Sequence, residues 1–205
     1  RRGRVVVDVP GCLDRAAALA ILRRGPVLSA VIIGAASQAI MVLLMAPTPL
    51  AMIGHGFSEA VAGDVIRWHV VAMFAPSFFT GFLIKRFGTK PIVTTGLVIL
   101  IASALIAASG LAPHHFYGSL VLLGIGWNFG FIGATNMLAK ALSAEERPLV
   151  QGANDTIIAL ASTICAFGGG AIVASFGWTV LALSAIPILL FAIFSVFGFR
   201  SVTLQ

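Results

Sequence analysis

The ten residues GFLIKRFGTK, Gly81–Lys90, carry the first decision about this chain. They set three cations and two glycines between runs at 61–84 and 91–112, each long and apolar enough to cross a bilayer. A connection this short and this basic is a membrane turn held on one side by its charges. The composition around it agrees. Of 205 residues, 59% are hydrophobic and 10% charged, with mean hydropathy +1.05. Soluble domains carry about 25% charged residues. A core built from a chain of this length has no room for that much apolar surface, whereas lipid does.

Six segments reach the roughly 20 apolar residues a transmembrane helix needs. They fall near 27–50, 61–84, 91–112, 116–139, 149–174 and 178–199, and the first, third, fourth and sixth contain no Asp, Glu, Lys or Arg. Their apolar character is continuous rather than alternating, which excludes a barrel. Helices then remain as the way to satisfy the backbone in lipid. Pro26, Pro91 and Pro148 stand where helices would begin, a position that tolerates the missing N–H. Pro113 is expected to stop the third span, and Pro76 and Pro187 to kink theirs. The longest connection, APTPLAMIGHGFSEAVAGD, is expected outside the membrane between the first two spans.

The net charge of +6 does not mark a nucleic-acid binder, because of where the cations lie. With the N-terminus inside, 12 of the 13 Lys and Arg residues fall on the inner side, from Arg1, Arg2, Arg4, Arg15, Arg23 and Arg24 to Arg200, and Arg67 alone falls near the outer side. That asymmetry is the positive-inside pattern, and an even number of spans returns both termini to the cytoplasm. The expected organisation is a cytoplasmic linker at 1–24, a six-helix transmembrane domain at 25–200 and a cytoplasmic tail at 201–205. Residues 13–24, LDRAAALAILRR, read equally as a short helix on the inner membrane surface or as plain linker. Cys12 and Cys165 lie too far apart in topology for a disulfide, and the charged first 24 residues do not read as a signal peptide.

The Gly81–Lys90 turn resembles the G-x-L-a-D-R-x-G-R-K loop of the major facilitator superfamily, found between the second and third helices of each six-helix half. Gly81, Leu83, Arg86, Gly88 and Lys90 match it, while Lys85 stands for the family's Asp and Thr89 for an Arg. Loss of the Asp is typical of the loop's copy in the C-terminal half. ILRRGPVL, Ile21–Leu28, is similar to the end of the central linker entering the seventh family helix, and Trp68–Gly88 resembles a bacterial branch. The resemblance implies an all-helical fold that is half of a twelve-helix transporter, with inverted three-helix repeats. It implies a bacterial inner-membrane location and alternating-access transport of a small organic solute, with protons as a candidate coupling ion. An N-terminal six-helix half is the expected partner. The chain would then be a fragment, a split gene product or a homodimerising unit.

Polar groups at membrane depth mark candidate functional positions. Gln38, near the middle of the first span, and Asn128, near the middle of the fourth, are candidates to line a solute cavity, with Trp127 as an aromatic surface. Both would serve equally as interhelical hydrogen-bonding groups. His69 is a further solute-binding candidate, and the neighbouring Asp64 and Arg67 are spaced for a local ion pair. Asp155, in the fifth span, is either a proton-coupling carboxylate or, with Arg86 or Lys85, an ion pair. The resemblance implies a gating latch at Gly81, Lys85, Arg86, Gly88, Lys90 and Asp155. Gly124, Gly126, Gly130 and Gly133 in the fourth span, and Gly168–Gly170 in the fifth, read as close-packing positions.

No cofactor or metal is expected. His114 and His115 lack further ligands, and there is no G-x-x-x-x-G-K-[ST] nucleotide loop or N-P-A pair. Two other classes stay open: a transporter-derived scaffold or sensor, and an intramembrane serine protease. The protease would want G-x-S-G, where this chain has Ala107-Ala108-Ser109-Gly110.

Overall fold

The computed structural model describes residues 14–198, with side chains from residue 17. Arg1, Arg2, Arg4, Cys12, Arg200 and the tail 201–205 lie outside the described residues, as does the Arg15 side chain. Within them the chain is helical throughout: α1 (Asp14–Leu22), α2 (Gly25–Met45), α3 (Thr48–Gly54), α4 (Glu59–Phe74), α5 (Ser77–Phe87), α6 (Thr89–Ser109), α7 (Pro113–Ala141), α8 (Arg147–Phe176) and α9 (Trp178–Gly198). These make six spans of membrane length, at 25–54, 59–87, 89–109, 113–141, 147–176 and 178–198. The protein is an integral, multi-pass membrane protein.

Prolines set several boundaries. Pro26, Pro113 and Pro148 occupy the first helical turns of α2, α7 and α8, so Pro113 opens the fourth span. Pro76 divides the second span into α4 and α5, because it has no N–H to give the ladder. Pro187 is carried inside a continuous α9. The stretch expected as a long outer loop is mostly helical. Pro47 and Pro49 suit the start of α3, Ser58 caps α4 by accepting from the Val61 N–H at 3.4 Å, and only 46–47 and 55–58 stay outside helices. LDRAAALAILRR is helical at α1, which buries Ala18 and Ile21.

The Gly81–Lys90 turn reverses the chain at one residue. Gly88 takes φ 88° and ψ 161°, a region open to glycine, while its N–H still caps the Ile84 carbonyl at 3.0 Å. Gly177 repeats the device between α8 and α9. Thr89 then ties the turn to the fourth span, donating to Asn136 at 3.0 Å and accepting from Lys140 at 3.4 Å.

The fourth span is the hub, packing on the first, second and third. Its glycines each serve a neighbour. Gly124 lies under the α4 backbone at His69–Met73, Gly126 faces Gly96 and Leu100, Gly130 faces Ser37, and Gly133 faces Val93. Lipid offers little hydrophobic drive between helices, so close backbone packing and interhelical hydrogen bonds hold the bundle. Buried bonds run from Ser103 to the Ser119 carbonyl at 2.8 Å, from Ser29 to the Ser195 carbonyl at 2.8 Å and from the Trp178 indole to the Ala107 carbonyl at 2.9 Å. Packing is uneven around the bundle. In its most apolar window the first span is 72% buried, the second 22% and the fifth 6%. The second span packs chiefly on the fourth and the fifth chiefly on the first, and each turns most of its surface outward.

Candidate functional site

Helical spacing builds one open face from two spans. On α2, Ala30, Gly34 and Gln38 follow at four-residue steps, and on α7 so do Trp127, Phe131 and Thr135. The indole N–H of Trp127 donates to Gln38 Oε1 at 2.7 Å, joining the two rows. Trp127 stacks on Phe131 with centroids 5.1 Å apart and planes 12° from parallel. Phe74, at the end of α4, braces Trp127 edge-on at 6.5 Å. Below this aromatic group, Phe131 forms one wall of an open groove floored by Ala30, Gly34 and Ala134. Thr135, Leu138 and, from α8, Asn154 and Ile158 complete it. No charged side chain lines the groove.

Asn128 has a different setting from its neighbour Trp127. It is fully buried against the break in the second span, where its amide donates to the Met73 carbonyl at 2.7 Å and to Ser77 at 2.6 Å. Its oxygen accepts from Thr80 at 2.6 Å. Asn128 therefore replaces backbone bonding lost near Pro76 and faces away from the open face. His69 is also fully buried between the second and fourth spans, with Nδ1 2.8 Å from the Leu120 carbonyl oxygen and Nε2 without a partner among the described residues. It stands apart from Gln38 and Trp127. Asp64 pairs with Arg67 at 2.8 Å, at the spacing expected, and also accepts from Tyr117 at 2.7 Å.

Within the expected latch, Lys85 and Arg86 form no ion pair with Asp155. Arg86 is exposed and lies over the Phe87 ring at 5.5 Å; Lys85 is exposed too. Asp155 is exposed on the fifth span and takes a 3.3 Å contact from Asn154. The reason is topological: the turn belongs to the second span, which packs chiefly on the fourth, whereas the fifth packs chiefly on the first. Gly81 has open space where a Cβ would project, and Thr94 donates to the backbone carbonyl of Lys90 at 3.0 Å. A tie between distant segments at this basic end runs instead from Arg24 to Glu146, at 2.8 Å. The Ser143 N–H donates to Glu146 at 3.1 Å, so Ser143-Ala-Glu-Glu146 acts as a capping box ahead of α8. That hydrogen bond, and after it Arg24, hold the Glu146 carboxyl below the usual glutamate range. Among the described residues no cluster of three His, Cys, Asp or Glu could hold a metal.

Phe74, Phe131, Thr135 and Asn154 were not singled out from the sequence. The four-residue spacing of Trp127, Phe131 and Thr135 was the available signal for two of them.

A family model for the Major Facilitator Superfamily matches residues 19–204. The chain belongs to the major facilitator superfamily. Its fold of six membrane helices and no strand among the described residues is consistent with half of that family's fold. Over 168 residues it is 46% identical to the riboflavin transporter RfnT of Brucella anthropi, an alignment covering 82% of this chain and 42% of that protein. Two uncharacterised transporters of the superfamily from Bacillus subtilis are also similar. YddS is 35% identical over 80% of the chain and 38% of its own length, and YdeG 38% identical over 73% and 35%. The chain thus spans about two fifths of the curated relatives it matches. The relatives are transporters rather than enzymes, which removes the protease reading.

Proposed function

We propose that this chain is the C-terminal six-helix half of a secondary transporter, carrying a small organic solute by alternating access. The observation that carries the reading is the open face of the first and fourth spans. It holds a fixed polar–aromatic pair, Gln38 and Trp127, near mid-membrane, between two flanking spans that are largely uncovered. Such a face has a place in a cavity closed by a companion six-helix half, supplied by the same reading frame or a second subunit. The exposed Gly81–Lys90 turn and Asp155 are positioned to meet that half, and lipid covers the remaining apolar surface. The charge asymmetry supports an orientation with the basic end cytoplasmic, and the bacterial relatives support the inner membrane. Import or export driven by a proton gradient is the coupling to test.

The relative's named substrate makes riboflavin the first solute to try. The full reading frame, reconstituted in proteoliposomes, is expected to move riboflavin across the membrane, with a rate that responds to an imposed proton gradient. Absence of gradient-responsive flux for riboflavin and a broad panel of organic solutes would overturn the transport reading and favour a scaffold or sensor.

A further inference from the structure

The open face carries a pattern of donors and acceptors that selects more narrowly than "small organic solute". The indole nitrogen of Trp127 can only donate, so its 2.7 Å contact fixes which end of the Gln38 amide is oxygen. The amide NH2 therefore points away from Trp127, and it has no hydrogen-bond partner among the described residues. A lone donor near mid-membrane is costly unless something accepts from it. Beside it the Trp127–Phe131 stack offers a flat aromatic surface, braced from the edge by Phe74.

The groove's far end has the opposite polarity. The Thr135 hydroxyl proton is committed to the Phe131 carbonyl at 2.9 Å, which leaves its oxygen able to accept. Asn154 directs one amide hydrogen to Asp155 at 3.3 Å, which fixes the orientation of the amide and leaves its carbonyl oxygen to accept as well. Between the ends Ala30 is buried and Gly34 packs on Ala134 and Ile158, so the path runs over them past Phe131, with no charge along the way. From Ala30 to Gln38 is eight residues of helix, roughly 12 Å.

We infer that this face is a two-part site for a neutral, elongated solute: a flat heteroaromatic head rests on the Trp127–Phe131 stack with a ring carbonyl accepting from Gln38, and a hydroxylated tail reaches past Phe131 to donate to Thr135 and Asn154. The inference rests on the transport reading only in taking this face as the solute's. Its content, which end of the solute meets which residues, is separate. Gln38 and Asn154 are the specificity-determining residues, and Trp127 positions Gln38 as well as offering its ring.

Binding tests this independently of flux. The full-length protein, purified in detergent, would be titrated with riboflavin, which has both head and hydroxylated tail, and with lumiflavin, which has the same head and a methyl in place of the tail. Quenching of flavin fluorescence is the readout. Gln38→Leu is expected to weaken both ligands about three- to tenfold, the worth of one hydrogen bond. Gln38→Met keeps the length of the side chain but removes the donor, and is expected to weaken both as well. It stands in if Gln38→Leu fails to fold. Trp127→Phe keeps a ring but frees the amide, and is expected to weaken both ligands. Asn154→Leu should weaken riboflavin by a similar factor and leave lumiflavin within twofold. Equal loss of both ligands in Asn154→Leu, no loss in either Gln38 variant, or no binding of either flavin by the wild type would each overturn the inference. Binding with this pattern but no flux would uphold the site and overturn transport instead.

Discussion

Replacing Gly96 by alanine is expected to be costly because the third and fourth spans cross there backbone to backbone. A Cβ at Gly96 would lie 2.5 Å from the Gly130 nitrogen and 2.9 Å from the Gly126 carbonyl oxygen, where ordinary contact begins near 3.4 Å. Backbone atoms cannot swing aside as a side-chain tip can, so the spans must part by about 1 Å at the crossing. A gap of that size forfeits up to about half of each contact's attraction, and the contacts at stake include buried Val93, Leu97 and Leu100. Overpacking of this kind costs roughly 2–3 kcal/mol, which lowers the unfolding midpoint. Gly118→Ala is the matched control. It lies on the same pair of spans, but its Cβ would meet Ile106 at 3.7 Å, an ordinary contact. Alanine there should be neutral or stabilise by about 0.5–1 kcal/mol, because it removes backbone freedom from a helix interior. Thermal unfolding of the full-length protein in detergent, followed by tryptophan fluorescence, separates the two. Equal midpoints for Gly96→Ala and Gly118→Ala would refute the argument.

Asn128→Ala removes three hydrogen bonds, two of them fully buried, that stitch the fourth span to the break at Pro76. At about 0.6 kcal/mol for each bond in a membrane, the melting experiment should show a loss of roughly 2 kcal/mol; an unchanged midpoint would contradict the stitch. Gly88→Ala forces a side chain into φ 88°, ψ 161°, and is expected to cost about 1–3 kcal/mol in the same assay. Gly81→Ala, which meets open space within this chain, is its comparison. The lowered Glu146 pKa sets a pH dependence: its contribution is present above the unfolded glutamate pKa and is lost as pH falls through the lower folded value. Melting midpoints from pH 6 down to pH 3 should fall less steeply in Glu146→Gln than in the wild type, and parallel curves would contradict the assignment.

The spans were legible in the sequence because hydropathy over some 20 residues reports lipid exposure directly. The close-packing role of the fourth span's glycines was legible too, since glycine at a bundle's centre serves approach rather than flexibility. The order of spans around the bundle was not legible. Hydropathy carries no azimuth, so nothing in the sequence told which spans the second and the fifth pack on, and the expected pairing of Arg86 or Lys85 with Asp155 depended on that. Asn128 and Trp127 show the same limit at residue scale. Adjacent on one helix, they point about 100° apart, one into the Pro76 break and the other onto Gln38. Phe131, Thr135 and Asn154 passed unnoticed because an apolar ring, a hydroxyl satisfied within its own helix and a half-buried amide are ordinary features singly. Their meaning comes from sharing a groove with Ala30 and Gly34.

The central claim, that the first–fourth face opens alternately to the two sides of the membrane as solute moves, is tested most directly at Thr135, which lines the groove and is exposed within this chain. Thr135→Cys would be introduced into a cysteine-free full-length background and labelled in sealed vesicles of each orientation with a membrane-impermeant thiol reagent, with and without riboflavin. Alternating access predicts labelling from the basic side that slows when saturating solute is added, and labelling from the opposite side whose rate also changes with solute. Labelling from one side alone, at a rate indifferent to solute concentrations that saturate flux, would contradict it.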